Sequence, residues 1–178
     1  MFEKGDKRLA ISYITTVNGH VLQSPTTPGA GPISGKYHNL TSGPPIPANS
    51  GNNIYVIRYA DVLLMRAEAE NELNGPANAY SFINLVRERA GIPALSGLSN
   101  EAFRTSIRKE RATELSFEGH RRYDLLRWGI FVETIKNSTS PFLKEPGAAI
   151  QDYHKLLPVP YNEISASNGS IVQNPGYN

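Results

Sequence analysis

A mainly α-helical fold is predicted for this 178-residue chain, and three observations predict it. Apolar residues recur at three- and four-residue spacing through the segment 57–90, the mark of amphipathic helices. Glycine and proline fall where that periodicity stops. Composition divides the same way: 23 of the 34 charged residues lie in 54–136, whereas 13 of the 28 Gly and Pro residues crowd into 1–53. One domain of ordinary size is expected over 1–178, with a loop-rich flank (1–53), a helical core (54–136) and a second loop-rich flank (137–178).

Taken in order, Leu9–Val17 is β-rich and predicts one short strand ending at a turn on Asn18-Gly19. The proline- and glycine-rich runs that follow, such as Pro25–Pro32 and Gly43–Pro47, interrupt too often for a regular element. A first helix is predicted over Ile57–Leu73, with Ala60, Leu63, Leu64 and Ala67 on one face. Asn74-Gly75-Pro76 stops it and supplies a first-turn proline for a second helix, Ala77–Ala90. That helix carries Ala79, Phe82, Ile83, Val86 and Ala90 on its apolar face and ends on Gly91, a left-handed cap. Two helices joined so tightly form an antiparallel hairpin. A third helix is expected from a Ser99 or Asn100 cap to Phe117, with Phe103, Ile107 and Leu115 on one side. Gly119 breaks it, and His120–Ile135 reads as a fourth helical stretch, kinked at Gly129. In the final flank only Asn162-Glu-Ile-Ser suggests a helical turn.

Composition narrows the function. A net charge of +2 gives no concentrated basic face for nucleic acid. No run approaches the roughly 18 apolar residues of a membrane-spanning helix. Cysteine is absent, which removes disulfides, thiolate ligands and cysteine nucleophiles. The four histidines form no metal-ligating pair, and no phosphate-cradling glycine loop or serine elbow occurs, so no cofactor, metal site or catalytic residue is expected.

The densest polar stretch is Ile107–Trp128, where Glu110 and Glu114 share a helix face. Glu110 and Glu118 could be read as a carboxylate pair acting on a glycosidic bond. The apolar residues interleaved among these charges (Leu115, Phe117, Tyr123, Leu126, Trp128) favour instead a core seam cross-linked by arginines. Among the loop aromatics, Tyr153 beside Asp152 and His154, and Tyr161 beside Asn162, suit stacking on a sugar face, and they are the two candidate ligand-binding residues. A loop tyrosine that merely covers the core would look the same.

One set of motifs resembles a known family. Arg58-Tyr-Ala-Asp-Val-Leu-Leu-Met-Arg-Ala-Glu-Ala69, Ile83–Gly91, Ile107-Arg-Lys-Glu-Arg111 and Glu114-Leu-Ser-Phe-Glu-Gly-His-Arg121 are similar to the C-terminal half of SusD/RagB-family proteins. The resemblance continues through Asp124–Gly129, Leu157-Pro-Val-Pro160, Glu163-Ile164 and Gln173-Asn-Pro-Gly-Tyr177, and Asp6-x-Arg8 and Lys36-Tyr37 also fall in place. It implies a helical fold with tetratricopeptide-like hairpins, and a non-catalytic nutrient-binding lipoprotein on the outer-membrane surface of Bacteroidetes. Such proteins deliver glycans, or in some members peptides, to a SusC-like TonB-dependent transporter.

Family members are longer and begin with a lipidated cysteine, so the chain reads as a C-terminal portion whose membrane association would need an anchor it does not carry. The resemblance assigns Arg58, Glu68, Arg87, Glu110, Arg111, Glu114, Glu118, Arg121, Asp124, Arg127 and Trp128 to an internal polar seam, in which loss of Glu118 or Arg121 would unfold the protein. Three functional readings follow: nutrient binding with transfer to the transporter, a helical scaffold that binds only protein partners, and a glycosidase fragment built on Glu110 and Glu118.

Overall fold

Helix ends lie where short-range chemistry puts them. The computed structural model describes residues 2–14, 16–17, 20–21, 33–36 and 53–177, which fall into two compact units, Met1–His120 and Arg121–Asn178. In the first unit, helix α1 (Arg8–Ser12) precedes α2 (Tyr59–Asn74), α3 (Pro76–Ala90) and α4 (Asn100–Glu114). Gly75, with φ 82°, ends α2, and Pro76 opens α3 with its ring already at a helical φ. Gly91 closes α3 in the left-handed conformation, its N–H bonding back to the Glu88 carbonyl at 2.9 Å. The Ser99 hydroxyl caps α4 by accepting the Ala102 N–H.

The hairpin α2–α3 packs against α4. Leu63, Leu64 and Ala67 meet Ala79, Ile83 and Val86 from α3 and Phe103 and Ile107 from α4. Leu64, Ile83 and Phe103 are wholly buried, and each such side chain contributes about 1.5–3 kcal/mol of hydrophobic stabilisation. The 92–98 connection is pinned to α3. Asn84 exchanges two amide bonds with the Leu95 backbone (2.8 and 3.0 Å), and the Tyr80 hydroxyl accepts the Leu98 N–H at 2.7 Å.

Three expectations are corrected here. The segment Leu9–Val17 is not one strand. The Asp6 carboxylate accepts the Arg8 N–H at 3.0 Å, and this local turn starts α1 instead. The chain then makes two-residue strands: β1 (Tyr13–Ile14) pairs antiparallel with β4 (Ile33–Ser34), and β2 (Thr16–Val17) with β3 (His20–Val21). The turn expected at Asn18-Gly19 lies outside the described residues. Helix α4 ends at Glu114, not Phe117, because Phe117 takes a left-handed φ of 64°.

The fourth helical stretch is two helices, α5 (His120–Arg127) and α6 (Phe131–Lys136), separated by a left-handed Gly129. Almost all of α5 belongs to the second unit, whose core joins Leu125, Phe131 and Ile150. Helix α7 (Lys144–Ala149), absent from the sequence expectations, precedes α8 (Tyr161–Ala166), which covers the expected Asn162 turn. The two C-terminal motifs bind each other. Gln173 bridges the Val159 backbone N–H and carbonyl (2.7 and 2.9 Å), Asn174 donates to the Leu157 carbonyl, and the Tyr177 hydroxyl donates to Leu156.

Candidate functional site

The polar centre of the first unit is built on the last turn of α4. A spacing of four puts Glu110 and Glu114 on one face of the helix, and both are almost fully buried. Glu110 accepts Arg8 at 2.5 Å on one oxygen and Arg87 at 2.8 Å on the other. Arg87 also reaches Glu3 and the Pro93 carbonyl. Glu114 accepts Arg58 at 2.6 Å, Arg89 at 2.5 Å and Arg8 at 3.1 Å. On a different side of α4, Arg111 meets Asp61 of α2 at 2.8 Å, both buried.

Where α4 ends, its free carbonyl needs donors. The Glu114 carbonyl receives them from Lys36 Nζ (2.5 Å) and Arg58 (2.7 Å), cations placed where the helix dipole favours them. The left-handed Phe117 turns the chain so that Glu118 faces the same two cations, Lys36 at 2.5 Å and Arg58 at 2.6 Å. Edge-on packing of Phe117 on Tyr13, with centroids 5.0 Å apart, holds that turn. Gly35 sets Lys36 in place. A side chain at 35 would put its Cβ 2.1 Å from the Ile11 carbonyl oxygen, so only glycine lets the strand run this close to α1.

Electrostatics follow the geometry. Burial by itself would raise the Glu114 carboxyl, but the charges and hydrogen bonds of Arg58 and then Arg89 outweigh it and hold the group below its ordinary value. Burial pulls the Arg8 guanidinium down, and the Asp6 hydrogen bond with the Glu110 charge more than restores it. For Lys36 burial wins: its amine lies below the ordinary value even with Glu118 against it.

Beside this cluster is a cavity of about 230 Å³. Arg8, Lys36, Arg58 and Arg89 form its cationic wall, and Ile11, Ser12, Tyr55, Glu114 and Glu118 complete the lining. Ser12 is 1% exposed, and its hydroxyl has no partner among the described residues.

The residues expected in one polar seam divide. Arg58, Arg87, Glu110, Arg111, Glu114 and Glu118 meet in the first unit as described, and Glu68 is half-buried on α2. In the second unit, Arg127 bonds Asp124 at 2.9 Å and lies over the Trp128 ring. Arg121 is exposed, which removes the reason to expect unfolding on its loss. Glu110 and Glu118, the carboxylates of the glycosidase reading, each have both oxygens occupied by cations. Tyr153 stacks on His154 (centroids 4.1 Å) and meets Tyr177 edge-on, and Gly176 lies directly against its ring. Tyr161 is 80% exposed.

Arg8, Lys36, Asp61 and Ser12 were not placed in the seam by sequence reasoning. The one available signal was the Asp6-x-Arg8 and Lys36 pairing noted in the family resemblance. Among the described residues, no group of three or more His, Asp or Glu is placed to hold a metal.

An α2–α3 hairpin carried on α4 and tied by buried arginine–carboxylate pairs defines the class, and comparison with known proteins names it. Residues 23–177 match the model of the SusD family. A SusD-like protein P25 of Formosa agariphila is 40% identical over 170 residues, 93% of this chain and 31% of that protein. The starch-binding protein SusD of Bacteroides thetaiotaomicron is 30% identical over 131 residues, 70% of this chain and 22% of its own length. A crystal structure of a SusD homolog from the same organism superposes with a TM-score of 0.74 at 30% identity, covering 98% of this chain and 41% of its own. The chain belongs to the SusD family, and it spans about a third of the length of the first of these relatives.

Proposed function

We propose that this chain is part of a non-catalytic nutrient-binding protein of the outer-membrane surface. Such a protein binds a glycan, or in a second form a peptide, and hands it to a SusC-like TonB-dependent transporter. Support comes from family membership together with a starch-binding relative 30% identical over 70% of the chain. The saturation of Glu110 and Glu118 by Arg8, Arg87, Lys36 and Arg58 agrees with binding without chemistry, since a general acid needs a carboxyl open to substrate.

Within this chain, Tyr161 is the better placed of the two candidate sugar contacts, exposed and followed by Asn162. Tyr153 is engaged by His154, Gly176 and Tyr177. That engagement favours a second reading for the region around it, a scaffold that supports a ligand site elsewhere and contacts only protein.

Calorimetric titration of the folded chain with soluble polysaccharides, oligosaccharides and peptides tests the proposal. Saturable heat abolished by Tyr161→Ala is expected for a ligand site on this chain. Silence across the panel, from a chain with a cooperative melt, leaves the scaffold reading, which capture of the isolated transporter barrel then tests.

A further inference from the structure

We propose that the cavity between α1, Lys36 and the end of α4 binds a single carboxylate group, carried by a small organic acid or an acidic sugar. The wall already demonstrates the chemistry. Its arginines and lysine hold the carboxylates of Glu110, Glu114 and Glu118 at 2.5–3.1 Å, and Arg58 takes Glu118 in the planar bidentate pairing that suits carboxylate.

Four cations line the cavity against two carboxylates. Arg8 is also taken by Asp6 and Glu110, so the uncommitted donors belong to Lys36 and Arg89. Among the described residues, Lys36 uses two of its three N–H donors, on the Glu114 carbonyl and Glu118. Arg89 uses one among the described residues, on Glu114, and its side chain is 58% exposed where it lines the cavity. Ser12 borders the same space, but its hydroxyl is buried away from it, so the donors open to a ligand are those of Lys36 and Arg89. Burial also holds the Lys36 amine below its ordinary value, so Glu118 and Glu114 leave this cation short of full compensation.

A monoanion satisfies these donors. A dianion would meet the charges of Glu114 and Glu118 at close range. The volume of about 230 Å³ falls below the ~300–1,000 Å³ of drug-sized sites, which selects one small acid or one sugar ring over an extended chain. The site is independent of the glycan reading, because a cavity for one acid group requires no polysaccharide groove elsewhere.

Amide chemical shifts of the 178-residue chain, titrated with sodium acetate, sodium glucuronate and glucose at constant ionic strength, provide the test. Saturable shifts at Ser12, Gly35 and Lys36 are expected with both acids and not with glucose. Arg89→Gln is expected to weaken binding roughly tenfold, the loss of one hydrogen bond to a charged group. Arg89 is mostly exposed, so this variant should keep a cooperative melt close to the parent's, which separates lost binding from lost fold. Tighter binding of glucuronate than of acetate assigns the site to an acidic sugar, and equal binding assigns it to a free small acid. Absence of saturation with either acid, equal response to glucose, or unchanged affinity in Arg89→Gln overturns the proposal. None of these outcomes bears on the polysaccharide titration, so the two readings fail separately.

Discussion

Arg58 grips Glu118 with two near-parallel bonds, Nε to Oε2 at 2.6 Å and Nη2 to Oε1 at 2.9 Å, across 60 residues of chain. The same guanidinium reaches the Glu114 side chain and backbone carbonyl. One side chain from the start of α2 therefore secures both the end of α4 and the residue that follows it.

Removing Glu118 leaves Arg58 and Lys36 largely buried with their shared carboxylate gone. Breaking one side of such a buried network costs about 3–5 kcal/mol. Glu118→Ala is expected to lower the unfolding free energy by that amount, read as a lower denaturant midpoint at unchanged slope. Arg121→Ala, on an exposed side chain, is expected to stay within about 0.5 kcal/mol of the parent. Equal stability of the two variants would contradict the assignment.

Gly35→Ala forces its new Cβ against the Ile11 carbonyl oxygen and to 2.8 Å from two atoms of the Ile14 side chain. The backbone cannot yield as a flexible side chain would. Overpacking of this kind costs about 1–3 kcal/mol, read as a lower midpoint, and withdrawal of Lys36 should make Glu118→Ala less damaging in the double variant than in the parent.

At Phe117 the usual order of alanine over glycine should invert. The left-handed φ of 64° costs a non-glycine residue about 1–2 kcal/mol, while the edge-on contact with Tyr13 returns about 0.5–1.5 kcal/mol. Phe117→Gly is therefore expected to be near-neutral, and Phe117→Ala, which keeps the strain and loses the ring, to be less stable. Thermal melts of the pair decide it.

Acid should unfold this protein through its carboxylates. The hydrogen bond from Arg87 lowers Glu3, and at Asp6 and Glu114 burial is outweighed by Arg8 and Arg58 respectively. Each group is more acidic folded than unfolded. Its stabilisation is thus complete above the ordinary values, 4.5 for Glu and 3.8 for Asp, and is lost as pH falls through the lower folded values. Urea midpoints should be flat from pH 7 to about 5.5 and then decline. A midpoint that rises below pH 4.5 would reverse the sign.

Short-range chemistry was legible in the sequence. The spacing of Leu63, Leu64 and Ala67, the Gly75-Pro76 junction, the Gly91 cap and the Ser99 cap all appear where the residues place them, because each depends on neighbours within one or two turns. Glu110 and Glu114 were legible as one face for the same reason, whereas Arg58, Arg87 and Glu118 joined them only through the motifs of the family resemblance. Arg8, Lys36 and Ser12 were not. They stand in stretches without periodicity, and their partners lie far along the chain, 102 residues for Arg8 to Glu110 and 82 for Lys36 to Glu118.

The sequence alone determined the α2–α3 hairpin with its Gly75-Pro76 junction and Gly91 end, the Ser99 start of α4 and the resemblance to the family. Only the tertiary structure decided that α4 stops at Glu114, that its last carbonyl is met by Lys36 and Arg58, and that a cavity walled by Arg8, Lys36, Arg58 and Arg89 opens beside them. A buried charge is tolerable only when its partner is brought to it from another part of the fold, and no local pattern records which partner that is.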